Sequence, residues 1–297
     1  MTSVSTELSS SKAVAVEQRA RMRSFRRVPG YIIAYIILLL GVVISLFPYF
    51  LALTTALKPA NQIFSTTPWS LPNPVTFQNF IDVITKYNFL AYAWHTLVFA
   101  TILTIGQLIF STLAAYAFAR MQFPGREQIF WLYLATLMVP TIVTLIPLFI
   151  ILRTFGLINT WAGLVIPFVL GTPFGIFLMR QFFLTIPRDL EQAARIDGAG
   201  TLQIMFKVIL PISRPILATL AIVTFVPAWN NFAWPLIITD TDNLRVLTVG
   251  IAAFQSNFGT QWNLMMAAGF IALGPLLILF FLFQKHIVRS IHLSGFK

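Results

Sequence analysis

The sequence predicts an all-α integral membrane protein with six membrane-spanning helices and a folded knob between the fourth and the fifth. Three observations predict it. Of 297 residues, 58% are hydrophobic and only 10% are charged, against roughly 25% charged in soluble domains. Six apolar runs come close to the roughly 20 residues that a spanning helix needs. Between two of them lies Pro187 to Pro211, the longest stretch of the second half that cannot sit in a membrane, with Arg188, Asp189, Glu191, Arg195, Asp197 and Lys207. The absence of cysteine removes disulfides, thiolate nucleophiles and cysteine metal sites.

Residues 1–18 are rich in Ser, Ala and Val, without apolar periodicity, and read as disordered. With Arg19, Arg21, Arg23, Arg26 and Arg27 they make residues 1–28 a basic tail ahead of a transmembrane unit at 29–297. The run Tyr31 to Leu57 is too long for a signal-peptide core and lacks a prompt cleavage site, so it reads as a first span interrupted by Pro48. Lys58 to Ala93, with Pro59, Pro68, Pro72 and Pro74, reads as a large outside loop with short helices. The remaining spans are expected near Trp94–Ala119, Ile129–Leu152, Trp161–Met179, Pro215–Thr239 and Asn263–Gln284.

Orientation follows from the basic residues, which gather on the cytoplasmic side. With both termini inside, all of the 20 Lys and Arg except Lys58, Lys86, Arg153 and Arg245 fall in cytoplasmic segments. The net charge of +11 is therefore a topology signal, and nucleic acid is not an expected partner. Membrane lipid is.

The knob itself reads as helix, glycine turn, helix. Pro187 suits a first helical turn, and Asp189 and Glu191 complement the positive end of the dipole. Ala193 and Ala194 favour helix, and Asp197-Gly198 offers a stop in which glycine accepts positive φ. Thr201 can cap the second helix, which Pro211 is expected to end.

The spans hold no Asp, Glu, Lys or Arg, which argues against a proton or sodium relay. His95, their one titratable candidate, lies at an outer end where interfacial solvation explains it. No phosphate-binding loop appears, so the energy for transport must come from another chain. His286 and His292 lack a zinc-site pattern, no nucleophile elbow is present, and Asp240 with Asp242 reads as a solvated turn. No enzyme site, metal site or cofactor is expected. Prolines 48, 140, 147, 167, 173, 227, 235 and 275 free carbonyls that must face protein or water, as in a translocation path, although proline is common in such helices anyway. Gly171 and Gly175 form a small-xxx-small pair.

Near the outer end of span five, Trp229-Asn230-Asn231-Phe232-Ala233-Trp234-Pro235 sets two amides beside two indoles. Aromatic faces and amides suit a neutral polyhydroxylated ligand, which makes Trp229, Asn230, Asn231 and Trp234 candidates for the substrate path. An interfacial aromatic belt with interhelical hydrogen bonds explains the same residues.

The knob resembles the EAA loop of binding-protein-dependent ABC importer permeases: Glu-Ala-Ala, three residues, Gly, nine residues, Ile-x-Leu-Pro. The matching positions are Gln192, Ala193, Ala194, Gly198, Val208, Leu210 and Pro211, with Gln192 where Glu is usual and Val208 where Ile is usual. Glu191 stands one place earlier, about 100° around the helix. Together with Ala115-Tyr116-Ala117-Phe118-Ala119-Arg120, Phe123-Pro124-Gly125, the aromatic run of span five and the closing stretch Gln284 to Lys297, the chain from residue 29 on is similar to the carbohydrate-uptake type, the class of the maltose-transporter G subunit. The resemblance implies the type I ABC importer permease fold in a bacterial or archaeal inner (plasma) membrane. It implies a second permease subunit forming a heterodimer, a dimer of ATP-binding subunits that hydrolyse the ATP, and an extracytoplasmic substrate-binding protein. It casts 187–211 as the loop that docks on the ATPase, with Glu191, Gln192, Ala193, Ala194, Asp197, Gly198 and Pro211 as coupling residues, and brings the tail Ser294-Gly295-Phe296-Lys297 near the ATPase dimer. Sugars and oligosaccharides lead as substrates, with glycerol 3-phosphate or a glycerophosphodiester as the alternative. Two readings of other classes stay open: a stand-alone channel or secondary carrier, and a membrane-embedded sensor or assembly subunit.

Overall fold

A computed structural model describes residues 33–256 and 259–294. The expected basic tail at 1–28 and the closing residues 295–297 lie outside the described residues.

The first helix, α1 (Ile33–Ala56), is apolar throughout, and the rest of the chain buries none of its most apolar stretch. It runs through Pro48 without the expected interruption. A proline removes a single N–H from the helix, and local adjustment around it can re-satisfy the carbonyl that it frees. After it, the loop that leads to the second helix is stapled by polar side chains. Lys58 is buried and donates to the Thr67 carbonyl at 3.0 Å and to Ser70 Oγ at 2.9 Å. Helix α2 (Gln78–Lys86) turns Asn79 and Val83, one turn apart, inward. Asn79 Nδ2 donates to the carbonyls of Ala56 and Lys58, and its Oδ1 accepts from Asn263 at 2.7 Å.

Helix α3 (Phe89–Arg120) follows Asn88, whose φ of +51° uses asparagine's tolerance of the left-handed region. Its 32 residues span about 48 Å at 1.5 Å each, more than the roughly 30 Å of a hydrocarbon core. This helix is the axis of the molecule: the helices over Trp161–Val169, Pro173–Thr185, Arg214–Trp229 and Leu247–Ala252 all pack on it. Helix α4 (Arg126–Ala135) starts after Gly125 at φ +75° and ends in a short tight turn through Met138. Helix α5 (Thr141–Thr154) leaves at 99° to it. The sequence predicts one continuous span over Ile129–Leu152. Pro140 breaks it, because the ring forces Val139 into extended backbone (ψ 116°) and removes a donor.

The span expected at Trp161–Met179 is likewise two helices, α6 (Trp161–Val169) and α7 (Pro173–Thr185). Thr160 and Thr172 cap them through the N–H groups of Gly163 and Gly175. The break lets Gly171 and Gly175 lie against Ser111 of α3, where a Cβ would come within 2.8 Å and 2.7 Å of Ser111 atoms. The small-xxx-small pair is thus a close helix crossing.

Helix α8 (Asp189–Ile196) and helix α9 (Thr201–Ile204) form the knob. Helix α9 is capped by Gly200, whose N–H donates to Gln203 Oε1 at 3.1 Å. Thr201, expected as the cap, is the first helical residue instead, because the longer Gln203 side chain reaches back to do the capping. A π turn (Met205–Ile209) leads into α10 (Leu210–Ile212), so the helix passes Pro211 and ends at Ser213. Pro211 sits near the start of a helical turn, where a missing N–H costs little. Helix α11 (Arg214–Trp229) departs at 80°. The chain closes with α12 (Ala233–Ile238), α13 (Leu247–Ala252), a two-residue antiparallel ladder β1 (Gln255–Ser256) and β2 (Gly259–Thr260), and α14 (Trp262–Ser294). Among the described residues, four helical segments are long and apolar enough to cross a membrane, or six if each bent pair is one span.

Two apolar clusters grip opposite ends of α3. The first gathers Phe89, Phe99, Trp229, Trp234, Phe254 and Ala267; the second gathers Tyr116, Phe130, Met179, Phe183, Met205 and Ile209. Between them α3 carries Thr104, Gln107, Ser111 and Thr112, all buried. A polar belt therefore lies at the middle of the axial helix.

Candidate functional site: an exposed knob and a cavity joined by one helix

The knob is built as its residues require. Helix α8 ends in a Schellman motif: the Gly198 N–H donates to the Arg195 carbonyl at 3.0 Å and the Ala199 N–H to the Ala194 carbonyl at 2.9 Å. Gly198 sits at φ +83°, and a Cβ there would meet nothing within 4 Å. Its requirement is conformational alone. Gln192, Ala193 and Ile196 share the outer face, three and four residues apart, and all are exposed. Ile196 is 86% exposed, and Leu202 on α9 is also open. The charged loop therefore carries an apolar tip. Asp197 and Pro211 are exposed as well.

Glu191 takes the opposite side. It is buried and pairs with Arg120, Nε to Oε1, at 3.0 Å. The same guanidinium donates to the carbonyls of Phe183 and Ile186 at the end of α7. A second guanidinium sits nearby: Arg180 of α7 donates to both oxygens of Glu127 at 2.8 Å and 2.9 Å and to the Phe118 carbonyl at 3.3 Å. It lies 4.2 Å over the Phe130 ring. The one-residue offset between Glu191 and Gln192 therefore decides their roles: the carboxylate turns into the protein and the amide turns out. Gln192→Ala is expected to lower transport less than a change at Gly198 does, because this position already lacks the charge usual there in the EAA pattern; a complete loss of solute uptake at normal expression would contradict this.

The cavity lies at the polar belt, with a volume of about 380 Å³. Gln107, Thr172, Thr224 and Asn231 supply its polar wall, and Leu103 and Phe168 are among its apolar lining. Gln107 Nε2 donates to the Phe168 carbonyl at 2.9 Å, close to the break between α6 and α7, and its Oε1 accepts from Thr224 at 3.3 Å. No ionisable side chain lines it.

Of the four path candidates in span five, the structure brings one to this cavity, Asn231. Asn230 is exposed and its amide returns to the Val226 carbonyl. Trp229 and Trp234 are 2% and 1% exposed, and their indole N–H groups donate to the carbonyls of Ala272 and Leu164, both at 3.2 Å. They are pillars of the first cluster. Sequence reasoning missed Gln107, Thr172 and Thr224. The signal available was uncharged polar residues recurring mid-span, which a search for charges passes over. His95 is half-buried with its Nδ1 3.0 Å from the Arg245 carbonyl, and Asp242 pairs with Arg245 at 2.6 Å in the turn.

The chain matches the family described as binding-protein-dependent transport system inner membrane component over residues 107–293. It is 33% identical to the sn-glycerol-3-phosphate transport system permease protein UgpE of Yersinia pestis, over 88% of this chain and 95% of that protein. It is also 33% identical to the diacetylchitobiose uptake system permease protein NgcG of Streptomyces coelicolor, over 94% and 92%. In fold it is similar to a chain in the crystal structure of a bacterial ABC transporter involved in the import of the acidic polysaccharide alginate, with a TM-score of 0.76, 24% identity, and coverage of 86% of this chain and 95% of that one.

Proposed function

The chain belongs to the binding-protein-dependent transport system inner membrane component family, and we propose that it forms one half of the translocation path of an ABC importer for a neutral sugar or oligosaccharide. It is a transport permease rather than an enzyme. In this reading a second permease completes the path as a heterodimer, a dimer of ATP-binding subunits hydrolyses ATP, and a substrate-binding protein delivers the solute from outside. Both termini lie in the cytoplasm, and the six spans of residues 29–297 cross the inner membrane. The loop 187–211 docks on the ATPase, with the outer face of α8, Gln192, Ala193 and Ile196, making the contact.

The observation that carries the substrate class is the cavity at the middle of α3. Its polar wall consists of amides and hydroxyls, which donate to and accept from sugar hydroxyls, while Leu103 and Phe168 offer surface to C–H faces. A phosphate would bring about −1.5 to −2 charges into a cavity without a fixed cation, a costly burial. Glycerol 3-phosphate remains the second reading, supported by the name of the Yersinia relative. Uptake by the reconstituted complex separates the two. Neutral mono- and oligosaccharides, diacetylchitobiose among them, are expected to be transported with ATP, and Gln107→Ala to lower that uptake about fivefold, the scale of one lost hydrogen bond. Transport of sn-glycerol 3-phosphate and of no neutral sugar would overturn the substrate class. Uptake that persists without any ATPase would instead favour a channel or secondary carrier.

A further inference from the structure

We propose that Arg120 is a positioning residue that fastens the knob to the cavity-bearing helix, so that a displacement of α8 reaches the polar belt through one buried guanidinium. The inference rests on the reading of α8 as the segment that docks on the ATPase.

Three features support it. Arg120 is the last residue of α3, its side chain is 3% exposed, and it holds acceptors from two other places: Glu191 of α8, and the Phe183 and Ile186 carbonyls at the end of α7. The last carbonyls of a helix lack partners within it, so the guanidinium closes α7 while it pins α8. Second, among the described residues this is the one ion pair that joins α8 to another helix. The knob also makes apolar inward contacts: Ile204 belongs to the second cluster, and Ala194 and Ala199 pack against it. Apolar contacts slide, whereas a buried guanidinium with its Nη2 on two carbonyls at the end of α7 and its Nε 3.0 Å from the Glu191 carboxylate holds α8 by charge, and separating the pair would leave a buried charge uncompensated. Third, α3 runs without a break from Arg120 to Gln107, about 20 Å along the helix, so movement at its end arrives at the cavity undiminished. Arg180 reinforces the same block through Glu127 of α4. In this arrangement Glu191 makes no contact with the ATPase. It is the grip by which α3 follows the knob, while Gln192 faces the partner.

The absence of cysteine makes the test direct. Spin labels are placed at Leu71→Cys and Ile105→Cys, both exposed, in the full complex with its other subunits freed of cysteine. The loop that carries Leu71 is tied through Lys58, Asn79 and Asn263 to α2 and α14, so the distance between the labels reports movement of mid-α3 against a held reference. In the otherwise wild-type chain, ATP with vanadate is expected to shift that distance. Arg120→Ala is expected to abolish most of the shift and to lower solute taken up per ATP hydrolysed about tenfold, while hydrolysis itself stays within about twofold. Arg120→Lys keeps the charge but not the fork, and Glu191→Gln keeps the shape but not the charge; each is expected to lose about threefold in the same ratio. These two carry the test if Arg120→Ala fails to assemble. A purely structural role would lower the unfolding temperature of the variants and leave the ratio unchanged, which overturns the proposal. A wild-type complex that shows no shift with ATP overturns the docking reading beneath it, and is recognised before any substitution at Arg120 or Glu191 is made.

Discussion

Replacing Gly198 by Val is expected to cut ATP-coupled transport more than tenfold while the complex remains folded. Gly198 closes α8 at φ +83°, with its own N–H and that of Ala199 bonded to the carbonyls of Arg195 and Ala194. A side chain there meets no neighbour, so the penalty is entirely in the backbone. An L-residue in the left-handed region costs about 1–2 kcal/mol, and a β-branched one more, because its stiff χ1 adds to the crowding. The chain relieves the strain by unwinding the Schellman turn, which turns the Gln192–Ala193–Ile196 face away from its partner. The position is exposed and a side chain there displaces no packed atom, so the unfolding temperature in detergent should move little. Gly198→Asn, whose side chain tolerates the left-handed region, should retain most of the transport. Wild-type uptake by the Gly198→Val complex at normal expression would show that the turn does not set the docking geometry.

Trp234→Ala carries the largest expected effect on stability. The side chain is 1% exposed, its ring meets Phe168 edge-on at 5.4 Å, and its indole N–H donates to the Leu164 carbonyl at 3.2 Å. Truncating a buried Trp to Ala costs about 3–5 kcal/mol, enough to reduce the amount of folded permease in the membrane and to lower its unfolding temperature. Trp234→Phe keeps a ring but leaves the carbonyl unpaired, a loss of about 1–3 kcal/mol. The pair of variants also separates two roles. A pillar loses stability in both substitutions. A ligand platform would keep its stability in both and lose solute affinity instead, and that result would return Trp234 to the substrate path.

The limits of the sequence reading follow from which interactions are local. Helix α8 and the turn at Gly198 rest on residues within a dozen positions of one another, and composition and periodicity expose them. The kinks were less legible. Pro48 and Pro140 look alike in the sequence, yet α1 runs through the first and the chain turns 99° at the second. The difference lies in the residue before each ring: Val139 is extended, as a following proline favours, whereas Phe47 stays helical. Trp229 and Trp234 suggest a sugar platform beside Asn230 and Asn231, and only the fold reveals that α6 and α14 lend them carbonyls. The pairing of Arg120 with Glu191 spans 71 positions, and that of Gln107 with Thr224 spans 117. No local rule announces either one. An arginine at a helix end reads as a topology signal until a buried carboxylate is found opposite it.

The central claim is that this chain is one permease of an ATP-driven, binding-protein-dependent importer, and isolating it from native membranes tests that claim most directly. The tagged chain is extracted gently and the proteins that accompany it are identified by mass spectrometry, with ATP hydrolysis measured on the same sample. The account predicts an ATP-binding subunit, a second multi-span permease and hydrolysis stimulated by a binding protein loaded with a neutral sugar. A chain that emerges alone and moves solute in vesicles without ATP would contradict it.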